Sequence, residues 1–408
     1  MFFIILLTFY FALNLGANDV ANAMGTSVGS KAITLKQALI IAGVLEFTGA
    51  ILFGHQVSQT LSTQITNPSL FTPQIFVMGM ISVLLAGGVW LQIATYLGLP
   101  VSSSHAIVGA IAGFSWVALG VNAVNWLSIE RITIAWIVTP VISAANAVLF
   151  YSQIKYWIIN QSSQITQLNE WIPWLSVAVV GIFATLVLPP LTHNVTNLLG
   201  EQLGVNIPER DISIFVGAIA TFGLTIYSWK MIEQGSAGAG VLREKLFSRF
   251  QLLSACFVAF AHGSNDVGNA IAPLAAIAYV NQAHTVPMAE IVIPTWILVI
   301  GGVGIVMGLA IWGKTVISTV GDRIINLQPS SAFCAEFATA TTIVLASRLG
   351  LPVSTSHTLV GAVVGIGLLQ NPKSIQISTL KGIAIAWLIT VPVSASLSAI
   401  IFKFMEFF

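Results

Sequence analysis

Apolar residues fill this chain in long runs, with short polar stretches between them. Twelve runs stand out, at 1–24, 36–54, 74–97, 99–120, 131–151, 172–191, 212–229, 250–280, 291–313, 331–349, 351–369 and 379–405. A helix needs about 20 apolar residues to cross a bilayer core of about 30 Å. Runs of that length predict helices rather than barrel strands, because a helix satisfies its backbone within the segment. The expected fold is therefore an all-α integral membrane protein with about twelve transmembrane segments.

Two of the runs are interrupted in the same way. Residues 16–23 read Gly-Ala-Asn-Asp-Val-Ala-Asn-Ala and residues 263–270 read Gly-Ser-Asn-Asp-Val-Gly-Asn-Ala. Polar and glycine residues at membrane depth predict that segments one and eight are broken mid-membrane. Further landmarks recur in the same order. Leu97-Gly-Leu-Pro-Val-Ser-Ser-Ser-His105 returns as Leu349-Gly-Leu-Pro-Val-Ser-Thr-Ser-His357, and Trp136 with Pro140 returns as Trp387 with Pro392. Near-constant offsets of 247 to 252 residues mark an internal duplication. Segments four and eleven open with this proline and are glycine-rich. Each is either a re-entrant hairpin or a short, tilted span.

The layout is a first repeat at 1–151, two linking segments and a loop at 152–249, and a second repeat at 250–408. If every segment crosses once, seven crossings separate matching elements. An odd number turns the second copy upside down, an arrangement used for alternating access. Loops after odd-numbered segments hold Lys31, Lys36, Lys155, Lys230, Arg243, Lys245, Arg249, Lys314, Arg323, Lys373 and Lys381. The other side holds Arg131, Arg210, Arg348 and Lys403. The excess of cations places the first set in the cytoplasm and both termini outside. The glycine-bearing stretch near 230–250 then reads as a flexible cytoplasmic linker. Residues 1–15 lack a basic leader, with no Lys or Arg before Lys31, so the first segment is expected to stay in the mature protein.

Composition sharpens this picture. The 408 residues are 56% hydrophobic and 7% charged, too few charges to cover a water-facing surface. A net charge of +1 carries no signal for nucleic acid. Cys256 and Cys334 form no CxxC pair, which argues against a disulfide framework or zinc site.

The candidate chemistry lies where polar groups enter apolar runs. Asp19 and Asp266 are ionisable groups at membrane depth, expensive unless they face a cavity or a partner. Carboxylate oxygens suit hard cations such as sodium, as do backbone carbonyls freed where a helix unwinds, and Asn18 and Asn265 stand beside the aspartates in the same motif. Asn22 and Asn269 follow three residues later, on the same helical face, with amides able to bridge a cation and an oxyanion. Ser102, Ser103 and Ser104, and Ser354, Thr355 and Ser356, follow a proline at a helix start, where free N–H groups and hydroxyls favour an anion. The same hydroxyls also suit N-capping. Glu336 is the candidate for an extra cation ligand or proton carrier. Glu46, Gln92 and His262 are polar residues without a matching partner in the other copy. His105 and His357 either lock the hairpins or touch ligand. No HExxH pattern is present, and a Ser–His–Asp site built on the duplicated motif would demand two active sites, so an enzyme is not expected.

With these motifs the chain resembles the inorganic phosphate transporter (PiT) family, over nearly its whole length. The resemblance implies inverted repeats, outside termini, a homodimer and cation-coupled phosphate uptake in a cell membrane. It implies no cofactor beyond co-transported sodium ions. It also implies that the Asn-Asp residues and hairpin hydroxyls line phosphate and sodium sites.

Overall fold

The computed structural model describes residues 1–203, 208–320, 325 and 327–407. Each predicted run falls on one helix. These are α1 Phe2–Gly29, α2 Leu35–Thr63, α3 Pro73–Tyr96, α4 Ser103–Leu119, α5 Trp126–Ile154, α6 Gln164–Leu203, α7 Glu209–Glu233, α8 Ala239–Ala283, α9 Thr295–Val320, α10 Pro329–Arg348, α11 Thr355–Gln370 and α12 Ile377–Phe407. Among the described residues, β-structure amounts to one isolated bridge, Thr66 to Val124. Nine helices among the described residues are long and apolar enough to cross a membrane. Two of the others, α4 and α11, have 17 and 16 residues. At 1.5 Å per residue they reach about 25 Å, short of a full hydrocarbon core. The third is α8, which carries the second polar motif and four charges in its first turns, Arg243, Glu244, Lys245 and Arg249. Arg323, counted above among the cytoplasmic cations, lies outside the described residues.

Local sequence sets the helix ends. Thr34 and Gln37 form a capping box at the start of α2, and Thr72 caps α3 ahead of Pro73. Gly98 and Gly350 both take φ +66°, a left-handed turn that stops α3 and α10 before the Pro-Val-Ser segments.

Two expectations fail for the same reason. No break appears at either motif: α1 runs unbroken through 16–23 and α8 through 263–270. Side chains on neighbouring elements meet the motif amides, so the backbone keeps its own ladder. The linker near 230–250 is also mostly helix, because α8 starts at Ala239. Tertiary contacts pin it. Arg243 donates to Gln164 (3.0 Å), and Glu244 accepts from the backbone and hydroxyl of Ser330 at the start of α10 (both 3.0 Å). Phe247 and Phe250 pack on Phe333.

The halves interlock. Helix α4 of the first half packs on α12, and α11 of the second packs on α5. The tightest crossings, α1 with α9 and α2 with α8, are built alike from glycine. A side chain at Gly16 would overlap the carbonyl of Ile305, and one at Gly308 that of Leu13. One at Gly263 would overlap the carbonyl of Glu46, and one at Gly49 that of Phe260. Small residues allow such close approach in lipid, where packing rather than hydrophobicity drives association. These crossings bring both polar motifs to the centre.

Candidate functional site

Asp19 and Asp266 are 1% and 0% exposed. A carboxylate oxygen of each, with a ring nitrogen of His262, lies within 4.8 Å of the others. Two carboxylates about 5 Å apart repel by roughly 3 kcal/mol at an effective dielectric near 20. The site is therefore built to hold positive charge. Beside each aspartate stands its asparagine. Asn22 donates to Asp19 Oδ1 (3.2 Å) and Asn269 to Asp266 Oδ1 (3.4 Å), the one-face geometry expected from the three-residue spacing.

Asn18 and Asn265 are held in matching ways. Asn18 Nδ2 donates to Thr95 Oγ1 (3.0 Å) and the Leu99 carbonyl (3.2 Å). Asn265 Nδ2 donates to Ser347 Oγ (3.0 Å) and the Leu351 carbonyl (3.1 Å). These bonds turn each Oδ1 away from the hairpin. Among the described residues, Asn18 Oδ1, Asp19 Oδ2, Asn265 Oδ1 and Asn269 Oδ1 are buried without a hydrogen-bond donor. Buried acceptors are normally satisfied, and a set of unmet oxygens suits a hard cation. Thr95 and Ser347 went unnoticed in the sequence. Their signal is the upstream extension of the hairpin repeat, Ala-Thr-Tyr-Leu-Gly-Leu-Pro against Ala-Ser-Arg-Leu-Gly-Leu-Pro.

The six hairpin hydroxyls divide by role. Ser102 and Ser354 are N-caps, accepting from the backbone of His105 (3.3 Å) and His357 (3.2 Å). Ser103 and Ser104 accept from Asn269 Nδ2 (3.2 and 3.1 Å), and Ser104 donates to the Val353 carbonyl (2.8 Å). Thr355 donates to Asp266 Oδ2 (3.0 Å), and Ser356 pairs with Ser354 (3.0 Å). The first turn of each hairpin helix thus abuts the second motif.

The hairpin histidines act as locks. Nδ1 of His105 donates to the Trp387 carbonyl and Nδ1 of His357 to the Trp136 carbonyl, both at 3.4 Å. Each ring packs on the other tryptophan, with centroids 3.8 and 3.6 Å apart, and the two imidazoles meet at 4.6 Å. Four helices are tied at this point.

Glu336 lies in a separate cluster. Its carboxylate accepts from Thr26 and Ser27 (both 2.6 Å), Ser254 (2.8 Å) and Gln251 (3.1 Å). Four donors already meet it, and a cation there would displace some of them. His262, a poor candidate by repeat matching, is instead central. Its Nε2 is 2.8 Å from Asp266 Oδ2 and its Nδ1 is 3.2 Å from Glu46 Oε2, all fully buried. Gln92 meets Tyr10 beside a cavity of ≈ 570 Å³, also lined by Asn14, Thr95 and Trp312. Thr95 is the residue that holds Asn18.

The arrangement offers oxygens for a cation and, from the hairpins, hydroxyls and N–H groups for an oxyanion. The profile of the phosphate transporter family matches residues 15–398. The chain is 39% identical over 393 residues to a phosphate permease homologue of Pyrococcus abyssi, covering 96% of this chain and 94% of that one. It is 38% identical over 430 residues to the chloroplastic inorganic phosphate transporter 2-1 of Arabidopsis thaliana, covering 97% of this chain and 70% of that one. Among solved structures it is similar to a sodium-dependent phosphate transporter. The TM-score is 0.91 and the identity 36%, with 99% of this chain and 98% of the other covered.

Proposed function

The chain belongs to the phosphate transporter family, a family of multi-pass membrane transporters rather than enzymes, and on that premise we propose that it is a sodium-coupled phosphate symporter. Phosphate binds at the centre between the repeats. Asn22 and Asn269, with Ser103, Ser104 and Thr355 and the N–H groups of α4 and α11, hold the oxyanion; Ser102, Ser354 and Ser356 shape those turns. Asp19 and Asp266, with Asn18 and Asn265, hold sodium.

One observation carries the reading. The duplicated aspartates lie side by side, with unmet oxygens from both motifs around them. Two bare carboxylates repel an anion, and bound sodium reverses that field. No arginine lies in either motif, and the His262 imidazole lies against Asp266, so the charge at Asp19 is met by the co-transported ion. By linkage, phosphate then tightens sodium binding by the factor by which sodium tightens phosphate. Phosphate that keeps a proton can donate to an aspartate, and fully ionised sulfate cannot. The likeness to the sodium-dependent neighbour supports sodium as the coupling ion. We place both termini outside the cell membrane, the α7–α8 turn in the cytoplasm, and the protein in a homodimer.

Radiolabelled phosphate uptake into proteoliposomes tests this, with sodium and pH gradients imposed separately. An inward sodium gradient should concentrate phosphate. Equal uptake without sodium would sink the coupling, uptake driven by a pH gradient alone would make the ion a proton, and equal competition by sulfate would change the substrate. A channel would equilibrate phosphate without concentrating it.

Alternating access by inverted repeats has a local consequence. The central contacts depart from two-fold symmetry. Trp136 Nε1 donates to the Pro352 carbonyl (2.9 Å), while Trp387 Nε1 is buried with no partner among the described residues. Asn269 reaches Ser103 and Ser104, while Asn22 reaches Asp19. In the opposite-facing state the repeats exchange roles, and Trp387 bonds the Pro100 carbonyl. One such bond contributes about 1 kcal/mol, a roughly fivefold change in population. Trp136→Phe should therefore raise hydrogen exchange in the 349–356 turn about fivefold. Trp387→Phe should lower it instead, because it removes the bond that stabilises the opposite-facing state.

A further inference from the structure

The two aspartates are equivalent by sequence and unequal in the structure. Among the described residues, Asp19 has one oxygen, Oδ2, with no hydrogen-bond donor. Asp266 has both oxygens engaged. Oδ1 accepts from Asn269, and Oδ2 accepts from Thr355 (3.0 Å) and lies 2.8 Å from His262 Nε2. Glu46 holds the far side of the same ring at 3.2 Å.

The glycine crossings show where this inequality comes from. Gly16 sits on the carbonyl of Ile305 as Gly263 sits on the carbonyl of Glu46, and Gly308 and Gly49 complete the two crossings in the same way. The residues before the matched glycines are Leu15 and His262. The counterpart of the Glu46–His262 pair is therefore the Ile305–Leu15 pair. Both of its members are apolar and fully buried. One half of the molecule carries a buried carboxylate–imidazole pair where the other carries hydrocarbon. Burying such a pair costs more than burying hydrocarbon of similar size, so fold stability alone does not call for it.

We propose that Glu46 and His262 are positioning residues that latch Asp266, making the two sodium positions unequal. Asp19 is open and fills first. Asp266 accepts its ion only after the imidazole yields Oδ2. Binding is thus ordered, and the second half fills last. The proposal rests on the sodium-coupled reading above.

Copying the apolar pair into the second half tests the latch. In the double variant Glu46→Ile/His262→Leu, sodium no longer has to displace the ring. The sodium concentration for half-maximal phosphate uptake in proteoliposomes should fall at least fivefold. The phosphate KM at saturating sodium should stay within about twofold. Damage to a merely structural pair would lower uptake or stability and would not tighten sodium. An unchanged or raised sodium requirement in the folded variant overturns the latch. If the double variant does not fold, single substitutions in the otherwise wild-type chain decide the matter. Asp19→Asn should lose the rise in melting temperature that sodium gives, and Asp266→Asn should retain it at low millimolar sodium. Equal loss in both overturns the proposal. If wild-type uptake itself ignores sodium, the symporter reading has failed, and this comparison separates that case from a failed latch.

Discussion

Asp19→Asn is expected to abolish sodium activation of phosphate uptake while leaving a folded protein. The substitution keeps the shape of the side chain and its Oδ1 acceptor, to which Asn22 donates at 3.2 Å. It removes the charge next to the oxygen that no donor meets. A unit charge about 4 Å from a cation contributes roughly 4 kcal/mol at an effective dielectric near 20, close to three decades of affinity. Sodium at ordinary concentrations would then leave the position empty, and phosphate would face Asp266 without a counter-ion. Uptake at any one sodium concentration should fall by about a hundredfold or more, with phosphate binding the first property lost. The measurement is initial uptake against sodium, on protein that elects the same size-exclusion profile as wild type. Wild-type sodium activation in that variant would remove Asp19 from the site.

The parts of the fold that could be read in the sequence were those set by local composition. Twelve apolar runs became twelve helices because each segment must satisfy its own backbone in lipid. The meeting of Asp19 with Asp266 followed from the duplication, since two copies packed face to face bring matched residues together. What could not be read depended on partners distant in the chain. The unbroken course of α1 depends on Thr95 and Leu99 receiving Asn18. Of the expected linker only 234–238 is a turn, and the residues after it start α8 because Glu244 reaches Ser330 and Phe247 reaches Phe333. His262 looked like a departure from the repeat. Its role depends on Glu46, a residue on another helix with no polar counterpart in the other half. The hairpin serines sat between these cases. Their position at a helix start was visible, but capping by Ser102 and contact by Ser103 require the turn itself.

Alanine at Gly16 or Gly263 is expected to destabilise the fold, where alanine at an open helical glycine is not. Each added methyl would overlap a backbone carbonyl, of Ile305 or of Glu46. A backbone carbonyl cannot rotate aside as a side chain does, so α1 must move off α9, or α8 off α2. Overpacking a tight contact typically costs about 1–3 kcal/mol, and the rigid partner puts these positions at the upper end or beyond. Helix propensity runs the other way, since alanine is better than glycine inside a helix by about 1 kcal/mol. Gly223 in α7 separates the two effects, because nothing lies within 4 Å of the place its methyl would occupy. Gly223→Ala should melt at or above the wild-type temperature in detergent. Gly16→Ala and Gly263→Ala should melt a few degrees lower, about 3–4 °C for a loss of about 3 kcal/mol in a chain of this length. Gly263→Ala should also lose uptake beyond its loss of folded protein, since moving α8 off α2 shifts Asp266 away from Asp19. If Gly16→Ala melted like Gly223→Ala, the α1–α9 crossing would not be the close contact on which the position of Asp19 depends.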